Sequence, residues 1–190
     1  MSLKLTYYGQ NDSVNCTPAV PLTGDPGTDQ ATLTAAGYLG GVIVALINSS
    51  NVPTGYTFQA ANEPAFGSIG NIVPCDCDLT VVGSPADNAT SRPFATLLNG
   101  PGEFSGAIGP SGSRKAPVVR ALWQGNVDFQ GYDANASFTI GEYVYCGGSV
   151  HNNKGLYTDN SLKGTGSPAV GICTHVPSAT EPWLGVASLL

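Results

Sequence analysis

Cys75-Asp76-Cys77 is the densest run of metal-ligating residue types in the chain, and His151 and His175 would complete a four-ligand set with the two thiols. Thiolate and imidazole together are the ligands of zinc. One residue separates the cysteines, however, whereas structural zinc pairs leave two to four between them. On a strand, an offset of two puts both side chains on one face, where free thiols pack as small apolar groups. The expectation is therefore buried cysteines with no metal and no cofactor. Cys16, Cys146 and Cys173 bring the total to 5, so at least one cannot pair within a monomer. All five are expected as free thiols, since the amino terminus has no apolar signal region and implies synthesis in the cytoplasm.

Carboxylates are the other source of chemistry. Asp76 and Asp78 flank Cys77, and Asp128 lies near Glu142 in sequence. Glycoside hydrolysis needs two carboxyls about 5 to 9.5 Å apart across a cleft, a spacing that some pair among 13 acidic residues meets by chance. These acids read as turn acids and loop caps. Asp25-Pro26-Gly27-Thr28-Asp29 lacks the dense oxygen run of a calcium loop. The hydrolase Gly-x-Ser-x-Gly elbow, the Walker loop, a Gly-x-Gly-x-x-Gly fingerprint and His-Glu-x-x-His are all missing from the sequence. The chain is read as having no catalytic residues and not being an enzyme. A net charge of −6 and a pI near 4.5 speak against a nucleic-acid partner. The longest apolar run, 40–47, is too short for a membrane helix of about 20 residues, so no membrane partner is expected.

The elements that would position these residues are short. Gly 25 and Pro 14 in 190 residues leave little room for a helical bundle, and 7 Lys+Arg are too few for a coiled coil. Leu3, Leu5 and Tyr7 alternate with polar residues as a half-buried strand does. Residues 11–30 carry Pro18, Pro21 and Pro26 and read as an extended arm. A short helix is expected at 28–36, stopped by Gly37, and then a strand buried on both faces at 41–47. Strands follow at 69–73 and 79–82, and one or two helical turns at 92–98. The Gly/Pro-rich stretch 100–117 is the candidate linker between a β-rich region 1–110 and a region 117–190. That second region has strand signals at 118–123, 127–129, 137–140, 142–146, 155–158, 169–174 and 184–189. The expected class is all-β, with a small β-barrel or sandwich in the C-terminal part, a β-rich N-terminal part and an extended N-terminal arm. The apolar end, 183–190, must be a closing strand or an interface.

The series Phe138-Thr-Ile-Gly-Glu-Tyr-Val-Tyr145, Gly155-Leu-Tyr-Thr158, Pro168-Ala-Val-Gly-Ile-Cys173 and Trp183-Leu-Gly-Val186 resembles the β-barrel pattern of tailed-bacteriophage head decoration (cement) proteins. The opening Met-Ser-Leu-Lys-Leu-Thr-Tyr-Tyr-Gly is similar to that of a phage structural product. The resemblance implies a virion protein that binds the exterior of an icosahedral capsid and stabilises it. Its partners would be the major capsid protein and further copies of itself, with a trimer favoured. Contacts are then expected from the two ends of the chain: Leu3, Leu5, Tyr7, Tyr8, Pro18, Pro21, Trp183, Leu184, Leu189 and Leu190. A tail-tube or other phage assembly subunit is the nearest alternative. A carbohydrate-binding β-sandwich, with Tyr7, Tyr8, Trp123 and Trp183 as stacking platforms, is the alternative of a different class.

Overall fold

The computed structural model describes residues 4–7, 12–20, 22–47, 68–78, 92–104, 116–120 and 122–190. Leu3, Tyr8, Pro21, the expected strand at 79–82 and residues 105–115 of the candidate linker lie outside the described residues. In chain order the elements are β1 (Lys4–Tyr7), β2 (Asp12–Pro18), α1 (Pro26–Ala35), β3 (Ile43–Ile47), β4 (Ser68–Pro74), β5 (Ala95–Leu97) and a 3-10 turn (Pro101–Glu103). They continue with β6 (Ala116–Arg120), β7 (Gln124–Asp128), β8 (Tyr143–Cys146), β9 (Tyr157–Thr158), β10 (Ala169–His175) and β11 (Trp183–Ser188). The chain is all-β with one short α-helix among the described residues, as its composition and alternation predict.

Two sheets carry the fold. Five strands form a ring in the order β2-β4-β3-β5-β6, with β6 bonding back to β2. β2 and β4 run parallel and the other neighbours antiparallel. The second sheet is antiparallel and open, ordered β1-β7-β11-β10-β8-β9. The closed ring is thus built from the first 120 residues, and the C-terminal strands, expected as a small barrel or sandwich, make an open sheet packed on that ring. Residues 137–140 stay irregular, leaving no strand to carry that sheet round to closure.

Side-chain alternation explains how the layers adhere. Val44, Ile72, Ala95, Leu97, Ala116 and Val118 point into the ring. Their neighbours Ile43, Ala45, Ile47, Val73 and Val119 point outward, where they meet Val127, Val144, Val170, Leu184 and Val186 of the open sheet. A strand between two apolar layers has no polar face, which is why 41–47 reads as a continuous apolar run.

Local chemistry sets α1. Asp25 caps it by accepting from Thr28 N at 2.8 Å, Pro26 occupies the first turn, and Gly37 at φ +84° turns the chain out of it. Leu33 and Tyr38 then insert into the ring, where the Tyr38 hydroxyl donates to Ile72 O at 2.6 Å.

Three expectations need correction. The extended arm at 11–30 is a ring strand followed by a helix, with Cys16 and Ala19 fully buried and Pro18 buried. Proline is excluded from a helix interior but not from its first turn, where Pro26 sits, nor from a strand end, where Pro18 closes β2 and a missing N–H is tolerated. The helical turns expected at 92–98 are extended, because Phe94 N, Thr96 and Leu97 are taken up by β3 and β6. Pairing across the ring outweighs a weak local preference. Sheet membership also does not follow a division at 100–117: β1 pairs with β7 in the open sheet, and β6 belongs to the ring.

Candidate functional site

At the end of β4 the chain carries Cys75 and Cys77 across to the end of β8, whose last residue is Cys146. Cys75 N donates to Ile43 O at 3.0 Å and Cys77 N to Gly147 O at 3.3 Å, so the segment is stitched to both sheets. The Cys75 and Cys77 sulfurs are 3.6 Å apart, and the sulfurs of Cys75, Cys77 and Cys146 all lie within 4.8 Å of one another. All three residues are fully buried. Burial pushes the Cys75 and Cys146 thiols well up. Hydrogen bonds from the Cys146 and Cys75 thiols hold Cys77 far below the usual thiol value despite desolvation, with a smaller contribution from Ser167. The three sulfurs therefore form one buried, mutually hydrogen-bonded cluster. Neither histidine joins it. His175 stacks on Trp183 with ring centroids 5.4 Å apart, and His151 lies on the surface near Asp78.

The carboxylates around it hold loops. Asp76 accepts from Ser149 N at 3.0 Å and pairs with Lys154 at 3.0 Å. Asp78 accepts from Val150 N and Thr165 N, each at 2.7 Å. The sequence Cys-Asp-Cys-Asp thus alternates sulfurs turned inward with carboxylates that fasten the loops after β8 and before β10. Elsewhere the same pattern recurs. Asp29 accepts from Thr23 N, Thr23 Oγ1 and Gly24 N, and Asp159 from Ser137, Ser161 and Leu162. Asp128 accepts from the next amide, Phe129 N, at 2.8 Å, while Glu142 is exposed.

An open cleft of about 430 Å³ runs along β8, lined by Ser137, Glu142, Tyr143, Tyr145, Asp159 and Asn160 among others. Lys163 Nζ sits 4.5 Å from the Tyr145 ring centroid. The cleft offers ring faces and hydrogen-bonding groups, but Asp159 is already engaged by four donors.

The ends of the chain are placed differently from the contact set expected of them. Leu5 and Tyr7 lie on β1, the outer strand beside β7. Pro18 is buried in the ring. β11 is an interior strand between β7 and β10, with Leu184 fully buried, Trp183 and Leu190 partly buried and Leu189 exposed. The apolar terminus therefore completes this chain's own core. Trp123 is also buried, at 2% exposure, and cannot serve as a sugar platform.

Sequence reasoning joined Cys75 to Cys77 but missed Cys146. Its only local sign is an inward position in the alternating run Tyr143–Cys146, and no spacing rule links it to Cys75. Comparison with protein families, curated proteins and solved structures finds no match to this chain.

Proposed function

We propose that this chain is a non-catalytic structural protein of a tailed-bacteriophage particle, binding the outside of an icosahedral capsid and stabilising it. The observation that supports this reading is the apolar surface at the ends of the open sheet. By register, Leu122, Val150 and Leu189 fall at one end, and Phe129, Ile140 and Tyr143 at the other. Val150, Ile140 and Leu122 are 72%, 66% and 65% exposed. Large apolar side chains exposed at the sheet ends suit a protein that acts by packing against neighbours. Of the contact residues expected from the chain ends, Leu189 belongs to this surface.

Stabilisation is additive burial. Each subunit covers about 1,000 Å² or more of adjoining capsomers, and binding the assembled shell alone shifts its stability by mass action. Self-association as a trimer on a capsid symmetry axis belongs to the same proposal.

Mixing the purified protein with undecorated heads tests it. Saturable co-sedimentation is expected, abolished by Leu122→Ser with Val150→Ser or by Phe129→Ser with Ile140→Ser. A monodisperse monomer in sedimentation at micromolar concentration would count against the trimer. Localisation within a tail tube would favour the other assembly role. The β8 cleft favours a second reading, carbohydrate binding through Tyr143 and Tyr145. Binding on a glycan array with no affinity for heads would establish that reading and remove the first.

A further inference from the structure

We infer that Cys75, Cys77 and Cys146 form a buried three-thiolate site for a thiophilic d10 metal ion, Zn²⁺ or Cu⁺, which staples the barrel to the open sheet. The inference stands apart from the capsid reading and rests on three features of the cluster.

The first is distance. Zinc–thiolate bonds of about 2.3 Å space the sulfurs of a tetrahedral site about 3.8 Å apart, and a trigonal site slightly more. The Cys75 and Cys77 sulfurs are 3.6 Å apart and Cys146 lies within 4.8 Å of both. The third sulfur has about 1 Å or less to move to reach that spacing. A one-residue separation does not count against the set, because the third ligand comes from another strand.

The second is rigidity. The ligand-bearing segments are tied to each other by main-chain bonds: Cys77 N to Gly147 O, Gly164 N to Cys146 O at 3.0 Å, and Gly166 N to Cys77 O at 2.8 Å. Asp76 and Asp78 fasten the same loops from outside through Ser149, Val150, Lys154 and Thr165. Gly164 lies so close that a β-carbon there would come within 2.5 Å of Cys77 Cβ. A site held this firmly before the ion arrives avoids an ordering cost on binding.

The third is ligand type. The set is sulfur only, which selects soft cations over Mg²⁺ or Ca²⁺. Three sulfurs satisfy Cu⁺. Zn²⁺ takes a fourth ligand, and the Ser167 hydroxyl, which hydrogen-bonds Cys77, is an oxygen beside the cluster. On loading, each ligating thiol releases its proton to solvent as its S–metal bond forms, and the ion keeps its oxidation state.

The experiment uses the full chain, purified with reductant and metal-stripped, then titrated anaerobically with Zn²⁺ alone and with Cu⁺ alone. One equivalent of one ion is expected to bind, with a thiolate-to-metal absorption band and a raised melting temperature. Cys146→Ser should lose that equivalent, whereas Cys16→Ser and Cys173→Ser should keep it. Should Cys146→Ser fail to fold, X-ray absorption on the loaded wild-type chain decides the matter, with three sulfur neighbours expected. Failure of both ions to bind, unchanged binding in a folded Cys146→Ser, or fewer than three sulfur neighbours would each overturn the inference. So would an intact mass showing Cys75 and Cys77 joined as a disulfide in the reduced preparation.

Discussion

Single carboxylates fasten several loops among the described residues, and two of them give measurable predictions. Asp159 is pushed up by partial burial, but Ser137 N, the Ser161 hydroxyl, Leu162 N and Ser161 N outweigh that and hold it below the ordinary aspartate range. A depressed carboxyl contributes stability that is complete above its unfolded value of about 3.9 and is lost as pH falls through the folded value. Amide protection at Ser137, Ser161 and Leu162 should therefore fall on acidification below about pH 4, and Asp159→Asn should flatten that dependence. Asp29 is fully buried and accepts from Thr23 N, Thr23 Oγ1 and Gly24 N. Asp29→Ala strands these donors and should cost about 3 kcal/mol, lowering the melting temperature by roughly 6 to 12 °C. Thermal unfolding followed by circular dichroism measures it.

Between elements, ring and open sheet approach each other glycine on glycine. Gly41, at φ +89°, precedes β3, and Gly131 follows β7. A β-carbon on Gly131 would sit 2.9 Å from Gly41 Cα and 2.5 Å from Val127 Cγ1. Both neighbours are fixed, one as backbone and the other as a buried β-branched side chain. Gly131→Ala should therefore destabilise by about 1 to 3 kcal/mol through overpacking, read as a lower urea midpoint. Gly141→Ala is the contrasting case: its φ of +87° brings strain, but there is nothing within 4 Å for a β-carbon to strike. It should cost about 1 kcal/mol.

At the scale of the whole molecule, the two sheets share one buried apolar layer. The ring's outer face, Ile43, Ala45, Ile47 and Val119, is buried only because the open sheet covers it. β1 crosses to the second sheet before the ring begins, and the Thr96 and Tyr157 hydroxyls meet at 2.8 Å between the layers. Neither layer can shed the other without exposing its core. Unfolding by heat or urea should accordingly be a single transition, with tryptophan fluorescence and far-ultraviolet circular dichroism superimposing. Two separated transitions would show that the sheets fold independently.

Local signals settled the type of some segments and misread others, 92–98 and 137–140 among them. Alternation located β1, strand signals located β8, β10 and β11, the unbroken apolar run located β3, and Gly37 marked the end of α1, whose start at Pro26 lies two residues before the expected 28. These features depend on contacts within a few residues, so they are written in the order of the chain. Partnership is not. Whether β2 is an arm or a ring strand, whether β11 lies at an edge or between β7 and β10, and whether Trp123 faces solvent depend on pairings between segments far apart in sequence. The same holds for the thiols: Cys75-Asp76-Cys77 is visible as a motif, but Cys146 reaches it only because β8 ends where β4 does. Side-chain periodicity fixes which face of a strand is buried, while the identity of the strand across the ladder is decided by the packing of the whole.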